Sequence, residues 1–396
     1  MLTDEQVDLQ RMAHDFAAAE LRPLAAEWDA AGEFPEELFL ELAVLGFMSM
    51  RVPGTEGGLE LDTLSTLLVL TELAWGDASA ALAVVQHNCA VAEALSRHGT
   101  EAQRGRWFPE LASGARLGVA LPGGHDPGRS LIDVSGLAAR RDGEGWLLEG
   151  KVSGATLASR AGLLLAFAAS EVPGAEPPPE GSPDRSTFLV PREVEGLTVE
   201  RAGRTLGLCA AGQVRVTFEG VRLPGDALLG GLGQGGAVRR EVLASARLGA
   251  AAVSLGIARA ALGHAARYAG EREQFGRPLS EFGGIREKLG GMVLRTDQAH
   301  ALVLAEGRRW NASLGEPGGA AAELDRDARA TAAKIAASEA AMWCADEAVQ
   351  IFGGYGYMRD YPVEKLIRDA KGMEILLGPN ELLRGTLAAA ALRRAE

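Results

Sequence analysis

The chain has 396 residues, enough for two or three domains, and 47% of them are hydrophobic, enough for large apolar cores. Fifty-three acidic residues against 40 basic ones give a formal net charge of −13, which repels phosphate backbones and excludes bulk nucleic-acid binding, leaving room only for a local basic pocket. Cys89, Cys209 and Cys344 are odd in number and far apart, so they read as buried free thiols in a reducing, cytoplasmic setting rather than as a disulfide framework or a zinc site.

Along the chain, Thr3-x-x-Gln6 and Thr100-x-x-Gln103 read as capping boxes that open helices. Helical lengths follow near 4–30, 35–46, 62–75, 78–98 and 100–113, broken by Pro53-Gly54 and Gly57-Gly58. The pattern changes near residue 117. Segments 134–140 and 146–152 flank Asp142-Gly143-Glu144-Gly145, a hairpin signal. Residues 163–169 suit a buried strand, 173–183 a surface loop rich in Pro, Gly and Glu, and 187–190 and 214–218 two further strands. Gly231-x-Gly233-x-Gly235 follows no clear strand, so a hinge at 230–236 is a better reading than a dinucleotide fingerprint. Helical spacing then returns. Leu248, Ala251, Ala252, Leu255, Ala258, Leu262, Ala265 and Ala266 form one apolar stripe, and Ile335, Met342, Ala345, Val349 and Phe352 form another.

Helices, then strands, then helices in blocks predict an α+β multidomain fold. An all-α domain covers 1–117, a middle antiparallel β-barrel or sandwich 118–232, and a four-helix bundle 233–396. The six histidines show no metal-ligand spacing, so no metal is expected. The N-terminal residues lack a basic segment followed by an apolar run, and Glu72 and Asp77 interrupt the longest apolar stretch, so neither a signal peptide nor a membrane span is expected.

Several segments, in order and at fitting distances, resemble the acyl-CoA dehydrogenase family. Residues 272–278, Arg-Glu-Gln-Phe-Gly-Arg-Pro, resemble its R-x-Q-F-G-x-P signature, and residues 350–357 its Q-I-F-G-G-x-G-Y signature. Tyr361-Pro362-Val363-Glu364-Lys365 with Arg368-Asp369-Ala370-Lys371 continues the match, and Gly378-Pro379-Asn380-Glu381 stands where the family writes G-T-N-E. Residues 53–61 and 99–114 resemble its N-terminal loop and G-T-E-E-Q…L-A-S-G segment. The resemblance implies a bound FAD, contacted by Thr156, Arg272, Gln274, Phe275, Phe282, Gln350, Gly353, Gly354, Asn380 and Glu381. It implies an acyl-CoA or acyl-carrier thioester near Arg247, Leu377 and Gly378, and a homodimer or homotetramer in which Arg272 reaches a neighbour's flavin. Electron-transfer flavoprotein is the implied acceptor, in fatty acid or amino acid catabolism. An arginine suits a pyrophosphate and paired glycines suit close backbone approach, although taken singly Arg272 could pair with Glu271 or Glu273, and the glycines could cap a helix.

The family's chemistry needs a carboxylate to take the α-proton while the flavin accepts a hydride from the β-carbon. Both positions that carry this base in the family are apolar here, Leu377 in one and Ala246, before Arg247, in the other. Glu374, three residues before Leu377, would share its helical face and is a candidate replacement, with Glu381 a further carboxylate nearby. The middle domain departs too: the A-L-T-E-P-x-A-G-S-D signature aligns with residues 120–129 but loses its Thr, Glu and Ser, and W-I-T-N becomes Gly154-Ala155-Thr156-Leu157. The F-Q pair becomes Phe282-Gly283. Weak flavin binding is therefore expected. Three readings stay open: a divergent dehydrogenase, an inactive acyl-CoA-binding or assembly paralogue, and a changed reaction such as those of related flavin monooxygenases and nitroalkane oxidases.

Overall fold

The computed structural model describes residues 2–121, 136–170, 185–313 and 320–395. The first helical layer comprises α1 (Asp4–Phe16), α2 (Ala25–Ala31), α3 (Glu37–Val44), α4 (Thr63–Gly76), α5 (Ala78–Val85), α6 (Glu93–His98) and α7 (Glu101–Ala112). Both capping boxes form. Thr3 Oγ1 accepts from the Gln6 N–H while Gln6 Oε1 accepts from the Thr3 N–H, and Thr100 and Gln103 repeat the exchange. A π-type segment, Gln86–Ala92, joins α5 to α6, so the helix expected over 78–98 runs unbroken.

The middle layer is one 8-stranded sheet of β1 (Leu117–Ala120), β2 (Gly136–Asp142), β3 (Gly145–Thr156), β4 (Ala161–Ser170), β5 (Arg185–Pro191), β6 (Leu197–Arg201), β7 (Gln213–Leu223) and β8 (Leu228–Leu229). Its order is β6-β7-β3-β2-β4-β5-β8, with β1 beside β4. The Asp-Gly hairpin joins β2 to β3 as expected, with Gly143 at φ 60°. The sheet is not wholly antiparallel: β4 runs parallel to both β1 and β2. Neither neighbour reaches β4 through a hairpin, the connection that enforces antiparallel pairing. β1, β6 and β8 escape sequence reading because each is short. The start of the strand expected at 134, most of the 120–129 signature and the loop at 173–183 lie outside the described residues.

The C-terminal layer comprises α8 (Gly235–Glu271), a small hairpin of β9 (Glu273–Gln274) and β10 (Arg277–Pro278), then α9 (Gly283–Ser313), α10 (Ala320–Phe352), α11 (Val363–Ile375) and α12 (Asn380–Ala395). The single stripe expected on α8 understates its burial: every residue from 244 to 258 is buried. Alanine, glycine and serine let α4, α9 and α10 close over all its faces. At Gly256 an added Cβ would lie 2.5 Å from the Thr71 carbonyl oxygen, so the α4 and α8 backbones cross in near contact. By length and composition α8 is also long and apolar enough to cross a membrane. Its apolar surface is instead covered within the protein. Cys89 and Cys344 are buried thiols as expected, but Cys209 is only half-buried, because it lies on the short 209–211 turn between β6 and β7.

A buried ion cluster ties the three layers together. Lys365 Nζ on α11 donates to Asp77 Oδ2 at 2.8 Å and to Asp369 Oδ2 at 2.7 Å. Asp77 also caps α5, and Asp369 Oδ1 accepts from the Leu208 N–H ahead of β7.

His87 is a satisfied core histidine. Its Nε2 donates to the Met48 carbonyl at 2.9 Å, and its Nδ1 accepts from the Gly118 N–H at 3.0 Å, which fixes the neutral tautomer. Burial pulls its pKa from 6.5 down to about 4. The unfolded chain therefore takes up a proton before the folded one. This stabilisation is complete above the unfolded value and is lost as pH falls from about 6.5 towards 4, a loss of about 3 kcal/mol. Thermal unfolding at pH 7, 5.5 and 4.5 is expected to show it, and His87→Gln should flatten the dependence; an equally steep profile in the variant would contradict this role.

Candidate functional site

α11 ends at Ile375 with Leu376 as its extended cap, and α12 begins at Asn380. In the turn between them Leu377 has φ 57°, the left-handed region, followed by Gly378 at φ 112°. Among the described residues, none accepts from the Leu377 backbone N–H. Two buried cations converge on this turn. From α8, Arg247 Nε donates to the Leu377 carbonyl at 3.0 Å, and its Nη1 reaches Asp327 Oδ1 at 2.6 Å and Thr331 Oγ1 at 3.3 Å. From α10, Lys334 Nζ donates to the carbonyls of Glu374 at 3.0 Å and Gly378 at 2.8 Å and to Asn380 Oδ1 at 2.8 Å. Asn380 Nδ2 in turn donates to Ser338 Oγ at 3.0 Å.

Burial lowers the pKa of Arg247, with Asp327 opposing. Burial, reinforced by Arg247, pulls Lys334 down to about 7, with Glu374, Glu381 and Glu339 opposing. Two basic side chains thus face the turn, one of them paired with Asp327, and no carboxylate stands at residue 377 or at Ala246, which is itself buried.

Sequence reading placed Glu374 on the same helical face as Leu377. That is corrected here: Leu377 lies beyond the end of α11, so helical spacing does not relate the two. The Glu374 carboxylate instead pairs with Lys371 on α11. Glu381 is exposed on the first turn of α12, while Asn380 is buried. Lys334, Asp327, Thr331 and Ser338 were missed by sequence reading. The available signal was the polar line Asp327, Thr331, Lys334, Ser338, spaced three and four apart on an alanine-rich helix.

Thr156 ends β3 opposite Gln213, and the adjacent Leu157 N–H donates to the Ala211 carbonyl. The same short turn leads to Leu208 and Asp369, which sets Thr156 on the side of the sheet that meets α11. Leu157 also has a positive φ, 66°, a conformation that the family's Asn would tolerate better than leucine does.

A second group gathers at the far end of α8. Arg272 lies 5.6 Å from the Tyr355 ring centroid, Phe275 and Phe282 meet edge to face at 6.3 Å, and Tyr268 stacks on Phe352 at 4.0 Å. Gly353 ends α10 at φ 60°, so it terminates the helix as well as offering open backbone. Phe275, 93% exposed, sits at the hairpin tip with φ 52°, and Gln274 and Gln350 are also exposed. Residues 247 and 272 are 25 apart along one helix, about 37 Å by helical rise, so the hairpin group and the Leu377 turn do not meet within one chain.

The residues of this second group suit the phosphate-bearing half of FAD. A Cβ added at Gly353 or Gly354 meets no atom within 4 Å, so the backbone there is open to close approach. Among the described residues Arg272 has no carboxylate partner, so neither Glu271 nor Glu273 takes its charge. On the sheet side Gly154, at φ 75°, also faces open space where the family places a tryptophan.

Models of the acyl-CoA dehydrogenase N-terminal and C-terminal domains match residues 3–115 and 233–392. An acyl-CoA dehydrogenase of Bacillus subtilis (strain 168) is 35% identical over 384 residues, 97% of each chain. The butyryl-CoA dehydrogenase structure from Megasphaera elsdenii superposes with a TM-score of 0.91 at 31% identity, covering 99% of both chains. A glutaryl-CoA dehydrogenase from Mycobacterium smegmatis, solved in complex with FADH2, gives a TM-score of 0.88 at 25% identity, covering 100% of this chain and 96% of that one. The chain therefore belongs to the acyl-CoA dehydrogenase family of FAD-dependent oxidoreductases.

Proposed function

We propose that this protein acts on the α and β carbons of an acyl thioester, on CoA or an acyl carrier, through a site whose usual base position holds Leu377. One observation carries the reading. The Leu377–Gly378 turn is held from two helices by buried cations while its residue-377 N–H has no acceptor in the described residues, which suits it to receive a thioester carbonyl. Arg247 and Lys334 orient that turn and favour negative charge developing at a bound carbonyl oxygen. Bound FAD would supply the acceptor for the β-hydride, held by Arg272, Gln274, Gly353 and Gly354 on one side and Thr156 on the other. Removal of the α-proton falls to no residue at 377 or 246, which keeps the binding or assembly reading as the alternative. Glu374 would serve as base only by leaving Lys371.

Loss of the tryptophan and of the serine and threonine contacts of the middle domain removes interactions worth about 1 kcal/mol each, so FAD is expected to leave on extensive dialysis. The visible spectrum tests both points. The purified protein should show flavin absorbance that dialysis depletes, and anaerobic acyl-CoA should bleach it slowly or not at all. Stoichiometric flavin that survives dialysis would overturn weak binding; rapid bleaching would overturn the empty base.

The separation of about 37 Å along α8 also supports a homodimer or homotetramer, in which one subunit's Arg272 hairpin completes a site on its neighbour. Light scattering at micromolar concentration should give at least a dimer, and a monomer would rule this assembly out. Electron-transfer flavoprotein is the proposed electron acceptor, in a cytoplasmic setting.

A further inference from the structure

We propose that Lys334 is a positioning residue that staples the Leu377 turn, fixing the left-handed conformation of Leu377 and with it the direction of the residue-377 N–H. The inference rests on the thioester-binding reading for its functional meaning, but not for its geometry. Lys334 is fully buried, and among the described residues it has no carboxylate within ion-pair distance. Its three donor positions are all directed at one seven-residue segment: the Glu374 carbonyl in the last turn of α11, the Gly378 carbonyl in the turn, and Asn380 Oδ1 at the start of α12. The ammonium thus bridges the two ends of the turn from outside it.

Such a restraint has a purpose here. A leucine in the left-handed region is sterically disfavoured, and free of restraint the turn would relax. Arg247 grips the Leu377 carbonyl, but its charge is shared with Asp327. Lys334 has only carbonyl oxygens and one amide oxygen, some of them the unpaired acceptors at the end of α11, which a cation stabilises. Ser338 holds Asn380 for it, so the staple is built from both partners.

Three acceptors need three N–H donors, and only the charged form of lysine supplies them. The groups that face Lys334 are Arg247 from α8, Glu374 from α11, Glu381 from α12 and Glu339 from its own helix, and burial with Arg247 sets its titration near pH 7. Below that pH the staple is complete; above it one donor and the charge are lost, and the turn loosens.

The test is amide hydrogen exchange of the full-length protein without ligand, at pH 6 and pH 8.5, corrected for intrinsic rates, on wild type and Lys334→Met. Exchange of the Leu376 amide, which donates to the Gly372 carbonyl, and of the Leu382 and Leu383 amides, which donate to the Pro379 carbonyl, is expected to rise about tenfold in the wild type between the two pH values, while α9 amides stay constant, because a charge-assisted hydrogen bond is lost. Lys334→Met should show the fast rate at both. Turn protection that is equal in the two proteins, or independent of pH in the wild type, overturns the proposal. Should the variant fail to fold, the wild-type pH series decides alone. Calorimetry with a non-reactive thioether analogue of acyl-CoA separates the two readings. A pH-dependent turn in a protein that binds no analogue upholds Lys334 as the staple and removes the thioester site.

Discussion

Leu377→Glu is expected to speed flavin bleaching by acyl-CoA about 10²- to 10⁴-fold, the usual contribution of a positioned general base. The backbone there is already left-handed with a non-glycine residue, so the substitution adds no new backbone strain. Arg247 donates to the carbonyl of this residue, and Lys334 to the carbonyl of the next. Two buried cations this close favour the ionised carboxylate against the burial that would protonate it. Short, medium and long acyl-CoAs should be compared on native and variant proteins reconstituted with FAD. Equal rates in the two would show that residue 377 is not where the missing base belongs, and would turn attention to Glu374 and Glu381.

Lys365→Met should destabilise the protein by about 3–5 kcal/mol, because it leaves Asp77 and Asp369 buried beside each other without their shared cation. For a chain of this length that corresponds to a fall of about 5 °C in the thermal midpoint. The burial that already raises the pKa of Asp369 would then act unopposed by Lys365. Adding Asp77→Asn to Lys365→Met should recover part of the loss, since one uncompensated charge is gone. A midpoint unchanged by Lys365→Met would show that the cluster contributes nothing to the union of the three layers.

Features set by residues close in sequence were legible before the structure. The capping boxes at Thr3 and Thr100 depend on side chains three residues apart, and the β2–β3 hairpin on one Asp-Gly step. The family motifs located the Arg272 hairpin and the Leu377 turn. Features set by distant partners were not legible. Nothing in a leucine announces a positive φ; that of Leu377 is imposed by α8 and α10, which lie 130 and 43 residues away in sequence. Lys334 read as one more cation on an alanine-rich helix until its acceptors arrived from α11 and α12. α8 was read as having one apolar face because alanine and glycine carry little hydropathic signal, although their small size is what lets three helices cover it.

The burial of α8 on every side also governs the order of synthesis. α4 is itself buried almost throughout, and α8 is one of the helices that cover it. Roughly 160 residues separate the end of α4 at Gly76 from the start of α8 at Gly235. At about 5–20 residues per second, the nascent N-terminal layer leaves the ribosome with an apolar helix uncovered for about 8 to 32 seconds before its partner appears. An N-terminal fragment ending before α8 should therefore be a chaperone client during translation and aggregate when released, even though its own capping and local packing are intact.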